Sequence, residues 1–396
     1  MATLKTELFK EINALNSTVI EFRHHLHEHP ELSNQEVKTT ALLQSILQEG
    51  GLKVTTFKEH YGLIAELIVD DTKPFIALRA DIDALPIDEQ TLVSYHSAIK
   101  GIMHACGHDA HTAILLGIAL AFAKLSKPLN ANLRFIFQPA EEVLDAGAQQ
   151  MIDAGALKNV KAIFALHAYP YLQTGSIGYK YGVMLASADM FSITIKGKSA
   201  HGARPHEGVD AILVTSMVVN SLNHIVSRQI DPLHPAVISL GTIEGGKVAN
   251  VLCDNVILKG TVRTVNHHIR QKIPDMMELT IKGICDSMHA TYEFDYTFGT
   301  PEVVNDKKMV DLLLNEAEEI IGSENCVDLE DPVMGGEDFG FYLEKIPGAF
   351  IRLGTCSKTG DDCFSQHNSR FNVDDHALVI GMKILAATAV KALNEL

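Results

Sequence analysis

The sequence predicts an α/β protein: a catalytic domain built on a mostly parallel sheet, interrupted by an inserted, ferredoxin-like α+β domain. Three observations predict it. Short β-rich runs alternate with helical apolar spacing over residues 63–167 and again after residue 301, the rhythm of a parallel sheet covered by helices. Between those stretches the order changes to strand, helix, two strands, helix, strand. And 396 residues exceed what one ordinary core holds, so two domains are expected.

Taken in order, residues 5–28 and 36–50 carry helical apolar spacing, broken between them by His29-Pro30. Leu63–Val69 and Phe75–Ala80 are rich in β-formers and bounded by turn residues, so both read as strands. A long apolar helix follows at His111–Leu125, then a strand at Leu133–Gln138, a helix near Ala146–Ala154 and a strand at Ala162–His167. After about Tyr181 the inserted domain begins. It reads as strand Phe191–Lys196, helix Val209–Val226, strands Val237–Gly241 and Val256–Arg263, helix His267–Met288 and strand Tyr292–Phe298. Past Thr300-Pro301 the first rhythm returns with a helix from Asp306, a strand Ala349–Leu353 and a closing helix Asp375–Leu396. The expected boundaries are residues 1–185 and 301–396 for the catalytic domain and 186–300 for the insertion.

Composition narrows the function. Hydrophobic residues make up 46% and charged residues 21%, as in an ordinary globular protein. A formal net charge of −16 argues against nucleic acid and anionic membrane surfaces as partners, because phosphate binding needs clustered Lys and Arg. The stretch Met1–Phe22 lacks the continuous apolar core of a signal peptide. Ala113–Ala123 is too short to span a bilayer and Ala377–Val390 is interrupted by Lys383. Six cysteines at irregular spacing, with no CxxC pair, read as reduced thiols of a cytoplasmic protein rather than a disulfide framework.

The unusual polar residues gather just past the ends of expected strands, where open parallel sheets form binding crevices. Met103-His-Ala-Cys-Gly-His-Asp-Ala-His111 holds three histidines, a cysteine and an aspartate in nine residues. Cys106 and His108 flank a glycine that lets the backbone curl toward one ion, and thiolate with imidazole suits zinc and similar metals. Gln138-Pro-Ala-Glu-Glu142 follows a strand directly. Adjacent carboxylates repel unless a cation is near, and one of them can bind metal while the other acts as general base. An exposed acidic helix start fits the same residues. Asp81 and Asp83, in Arg79-Ala-Asp-Ile-Asp-Ala-Leu-Pro86, suit either orientation of metal-bound groups or a turn. His167 and His367 are unremarkable alone and gain meaning only by completing a donor set.

Together these strings resemble the family of aminoacylases, hippurate hydrolases, auxin-conjugate amidohydrolases and N-acetyldiaminopimelate deacetylases, relatives of the two-metal carboxypeptidases. The resemblance runs along almost the whole chain. It starts at Phe22-Arg-His-His-Leu-His-Glu-His-Pro-Glu-Leu32 and takes in the three strings above. Ser199-Ala-His-Gly-Ala-Arg-Pro-His206, Gly245-Gly-Lys-Val-Ala-Asn250, Gly260-Thr-Val-Arg263, Gly335-Gly-Glu-Asp-Phe339 and His367 continue it. Ser369 stands where a proline is frequent, and Gly202 and Arg204 vary a familiar string.

The resemblance implies that Cys106, His108, Glu142, His167 and His367 hold two divalent ions (zinc, manganese, cobalt or nickel) and that Glu141 is the general base. It implies that Asp83 braces the site, and that His201, Asn250 and Arg263 meet the substrate's carboxylate or the oxyanion. It further implies a small N-acyl amino acid as substrate and a homodimer joined through the inserted domain, which serves as lid. A dipeptidase or carboxypeptidase would use the same metals and differ in the acyl group accepted. A binding protein that kept this fold without chemistry would have lost the base or a ligand, and none is missing. No Gly-x-Ser-x-Gly elbow supports a serine hydrolase.

Overall fold

A computed structural model describes residues 2–126, 129–143, 146–357 and 363–396. It divides into two units: one made of residues up to Met184 with Val304–Asp331 and Asp338–Leu396, the other of Leu185–Val303 with the short return Pro332–Glu337.

The larger unit is built on an eight-stranded sheet. Its order, by strand, is Lys53–Thr56, Leu63–Leu67, Asn132–Gln138, Phe75–Asp81, Val160–Gln173, Gly348–Cys356, Ile177–Tyr179 and Cys326–Asp328. The four central strands, from Asn132–Gln138 to Gly348–Cys356, pair in parallel, flanked by antiparallel pairings on both sides, and the last strand, Cys326–Asp328, pairs in parallel with Ile177–Tyr179. Every residue of Phe75–Asp81, Asn132–Gln138 and Gly348–Cys356 is buried, which explains why these runs are mostly apolar rather than alternating, with Arg79, Arg134 and Arg352 as their buried cations. From Phe75–Asp81 the chain passes through the helix His108–Ala123 to the strand on one side, then through Gly147–Asp153 to the strand on the other. That reversal opens a crevice at the carboxyl end of Phe75–Asp81.

The helices Ala2–Glu28, His108–Ala123 and His376–Glu395 pack on one another, and Lys307–Ile321 packs on the last. His376–Glu395 is long and apolar enough to cross a membrane, but 72% of its apolar window is buried in this core. Its hydrophobicity is that of a central helix, and Lys383 packs over the Phe9 ring at 5.8–5.9 Å, as Lys5 does. The edge strand Lys53–Thr56 has no counterpart in the expected elements. It is short and mostly exposed, so no apolar alternation marks it.

The smaller unit is a four-stranded antiparallel sheet in the order Thr291–Thr300, Ser187–Lys196, Asn255–Thr264, Ala236–Gly245. With helices Ala211–His224 and His267–Ser287 interleaved, the order is ferredoxin-like, as the sequence predicts. Both helices start on side-chain caps: Asp210 accepts from the Ile212 and Leu213 amides, and Asn266 from His268 and Ile269. The sheet's inner face carries Phe191, Ile193, Ile195, Val256 and Leu258 against Val214, Val218, Ile273 and Met277. Arg270 is buried and closes on the Asp189 carboxylate, Nη2 to Oδ1 at 2.7 Å, while the Tyr296 hydroxyl and Gly299 amide also donate to Asp189 at 2.9 Å.

One sequence expectation fails. Cys356 and Cys363 pair as a disulfide, not as reduced thiols, with the two Cα atoms 5.9 Å apart, within the reach of such a bridge. Spacing in the sequence carries no trace of that pairing. Cys106, Cys253, Cys285 and Cys326 are free thiols.

Candidate metal centre

The site lies in the larger unit, at the carboxyl ends of the central parallel strands. Asp81 ends one strand, Gln138 stands beside it in register on the next, and His167 lies opposite Arg352 on the far side. The loop after Phe75–Asp81 brings Asp83, and the helix His108–Ala123 begins inside the crevice.

Backbone geometry sets the donors. Gly107, between Cys106 and His108, has φ +90°, and a Cβ there would sit 2.8 Å from the Ala168 Cβ. Only glycine fits this curl, which is the property the sequence reading assigned to it. Ala140, just before the acid pair, has φ +51°, and His367 has φ +64°. Both are non-glycine residues held in the left-handed region by their surroundings. The His367 amide donates to the Ala105 carbonyl at 2.8 Å, which ties this late segment to the Cys106 loop.

The five expected ligands converge. Cys106 Sγ lies 3.4 Å from His167 Nε2, and His367 Nε2 lies 3.3 Å from Glu142 Oε1. His108 Nε2 is 3.9 Å from Glu142 Oε1 and 3.9 Å from Glu141 Oε2. Cys106, Glu142 and His367 form one potential metal-holding group, and His108, Glu141 and Glu142 another.

Two of the three imidazoles, His108 and His167, are oriented through the other nitrogen, as metal-binding histidines require. His108 Nδ1 faces Asp83 Oδ1 at 3.1 Å, and His167 Nδ1 donates to the Ala168 carbonyl at 2.8 Å, which also accepts from Gln366 Nε2 at 2.9 Å. His108 Nε2 is then buried without a hydrogen-bond partner, as is Glu142 Oε1. Orphaned buried polar atoms are costly, and here they point into a shared space. Burial disfavours a charge on His108, yet Asp81 and Asp83 raise its affinity for positive charge well above the ordinary value. Burial, then Glu142, pushes the Cys106 thiol up. The donor set therefore fits a cation.

Asp83 occupies a bracing position: besides His108 it accepts from the Glu142 amide at 3.1 Å and the Ser33 hydroxyl at 2.7 Å. His111 is a neighbour with a different job. Its Nδ1 meets Asp81 at 2.6 Å and its Nε2 accepts the Ala168 amide at 2.7 Å, so both nitrogens are occupied in fixing the strand that carries His167. Burial would raise the Asp81 carboxyl, but His108, His111 and Arg79 hold it well below the usual range. His104 is buried with both ring nitrogens unpartnered, and burial lowers it to about 4, so it is a neutral imidazole.

Three residues without an assigned role in the sequence reading prove to organise the crevice. Asp338 accepts from Arg79 Nη2 (2.7 Å), Gln138 Nε2 (2.7 Å) and the Ala148 amide (3.0 Å), locking two strands and a helix together. Gln366 donates to the Ala168 carbonyl that orients His167, and Glu36 accepts the Ala140 amide at 2.8 Å. Asp338 lies in the Gly335–Phe339 string and Gln366 beside His367, so position in a motif was a usable signal for both. Glu36 had none beyond standing before a helix.

The remaining expected residues lie in the smaller unit. The Gly202 amide donates to the Asn250 carbonyl at 2.8 Å and His201 bridges to Val251, so His201 and Asn250 belong to one exposed cluster. His201 Nδ1 accepts from the Ala203 amide at 3.1 Å. Arg263 donates from Nη1 to the Met334 carbonyl at 3.3 Å.

A family model, peptidase family M20/M25/M40, matches residues 77–391. The chain belongs to this family. It is 40% identical to an N-acetylcysteine deacetylase of Bacillus subtilis, over 96% of this chain and 98% of that one. It is 35% identical to a thermostable carboxypeptidase of Saccharolobus solfataricus, over 99% and 100% of the two chains. Among solved structures, a dinuclear metal-binding M20 peptidase of Bacillus subtilis superposes with a TM-score of 0.82 at 37% identity, covering 97% of this chain and all (100%) of that one. This M20 member is thus a hydrolase, and its chemistry is metal-dependent hydrolysis of an amide bond.

Proposed function

We propose that this M20 chain hydrolyses N-acyl amino acids, with Cys106, His108, Glu142, His167 and His367 holding two divalent ions and Glu141 serving as general base. The observation that carries the reading is the acid pair: Glu141 and Glu142 each reach 3.9 Å from the unpartnered His108 Nε2, inside a ring of five donors. When bound, the ions lower the pKa of water toward about 7 and polarise the scissile carbonyl. Glu141 takes the proton released by the attacking water and returns it to the leaving amine. Asp83 holds His108 in the tautomer whose Nε2 faces the site and steadies the Glu142 backbone. The deacetylase relative supports an N-acyl substrate. Hydrolysis of a panel of N-acetyl, N-benzoyl, N-succinyl and indole-acetyl amino acids, run beside dipeptides and with metal analysis, tests it. Cleavage of dipeptides but no N-acyl amino acid would move the reading to a carboxypeptidase, which the Saccharolobus relative favours.

In the same reading His201, with Asn250 and Arg263, meets the substrate's carboxylate or the oxyanion. His201→Ala is expected to lower kcat by about 10²–10³-fold with bound metal unchanged, the cost of one oxyanion donor. We assign the smaller unit to homodimer formation. Its sheet ends on Ala236–Gly245, an edge strand exposing Val237 and Ile243, and the helix Ala211–His224 exposes Ile212, Leu213 and Met217. An open apolar edge is a template for pairing with another copy. Ile243→Lys should yield monomers in light scattering where the parent gives dimers; a dimer of unchanged strength would rule this edge out.

A further inference from the structure

We propose that Glu36 is a positioning residue for the catalytic base, holding the Pro139–Ala140 turn from which Glu141 and Glu142 are presented. It rests on Glu141 being that base. Glu36 stands at the start of the helix Val37–Glu49, yet its side chain makes no capping bond to that helix, and the residue is fully buried. A buried carboxyl needs a reason. Its Oε1 accepts the Ala140 amide at 2.8 Å.

That bond is made to a residue with little freedom. Ala140 has φ +51°, a conformation an alanine adopts only when neighbours enforce it. From the other side, the Ala140 carbonyl accepts the Gly147 amide at 3.0 Å. A Cβ on Gly147 would fall 1.6 Å from the Pro139 carbonyl oxygen, so the turn is pressed directly onto that backbone. The turn is therefore fixed at both the amide and the carbonyl of Ala140, and the next two residues are the acid pair. The segment before Glu36 reaches the same region: Ser33 donates to Asp83 at 2.7 Å, and Asp83 accepts the Glu142 amide. Ser33 and Glu36 thus grip the base loop through Asp83 and through Ala140.

Burial pushes the Glu36 carboxyl up to about 7, and its Oε2 has no hydrogen-bond partner. What the turn uses is one acceptor oxygen at a fixed reach, not a charge. A neutral amide of the same length keeps that oxygen, and a carboxylate one carbon shorter withdraws it.

The experiment follows from this difference. Glu36→Gln, Glu36→Asp and Glu141→Gln are compared in the full-length, metal-loaded enzyme, with the N-acyl amino acid of the panel that turns over fastest. Bound metal, thermal midpoint, KM and kcat are read for each. Glu36→Asp should lose about tenfold to 10²-fold in kcat, as small misplacements of catalytic groups do, with KM and bound metal within about twofold. Glu36→Gln should keep kcat within about threefold of the parent. This order, glutamine above aspartate, is opposite to what a charge role gives, and a packing role, which shares the order, would lower the thermal midpoint of Glu36→Asp in step with its kcat. The proposal is overturned if aspartate equals or exceeds glutamine, or if the aspartate loss matches a loss of metal or of folded protein. An active Glu141→Gln would instead remove the base itself, a failure visible without any Glu36 variant.

Discussion

Glu141→Gln is expected to retain its metal and lose about 10²–10⁴-fold in turnover, while Glu142→Gln loses metal as well. The two acids are neighbours at equal distance from His108 Nε2, so distance alone does not divide their roles. Their other contacts do. Glu142 Oε1 lies 3.3 Å from His367 Nε2, and the Glu142 amide is tied to Asp83, which places this carboxylate inside the donor set. Glu141 shares its potential metal-holding groups with His108 and Glu142 and with Glu337 and Asp338. A glutamine at 141 preserves shape and a carbonyl oxygen but cannot take a proton at neutral pH. Metal content by mass spectrometry after gel filtration, beside steady-state kinetics, separates the cases. Near-normal turnover in Glu141→Gln, or metal loss equal to that of Glu142→Gln, would end the assignment.

The fold was legible because its elements announce themselves by period. The buried strands Phe75–Asp81 and Asn132–Gln138 are mostly apolar runs, and helices such as Lys307–Ile321 begin on a side-chain cap, here Asp306 accepting the Met309 amide. The donor residues were legible because Cys, His and paired Glu are rare at such density. Residues that act through the backbone were not. Glu36 works by accepting one amide, and nothing in a Glu before a helix distinguishes that from an ordinary helix start. Asp338 is likewise a partner of Arg79 and Gln138, 259 and 200 residues away. The Cys356–Cys363 pair escaped for the same reason, since such a pairing has no sequence period. His111 shows the converse error that composition invites: it looks as much a ligand as His108, and only the hydrogen bonds on both its nitrogens set it apart.

Removal of metal should abolish turnover and lower the thermal midpoint, and Cys106→Ser should change which ion restores activity. Within the crevice, burial and Glu142 hold the Cys106 thiol protonated well above its ordinary range. A nucleophilic cysteine needs the thiolate, and its usual helpers are cations and helix N-termini. Burial is the largest influence on this thiol, and it stands beside Glu142 and His367 in one potential metal-holding group, so Cys106 is placed to give up its proton to a bound cation. Binding to the folded chain alone adds about 2.7 kcal/mol at a free-ion concentration of 100 Kd, enough for a clear shift in melting. Dialysis against a chelator, followed by titration with zinc, manganese, cobalt or nickel, measures both effects. Replacing sulfur by the harder serine oxygen should move the preference away from zinc toward manganese. Rapid-quench mass spectrometry of the parent enzyme should find no acyl group on Cys106. A trapped thioester there, or full turnover in chelated protein shown to be free of metal, would replace this metal-ligand role with covalent catalysis.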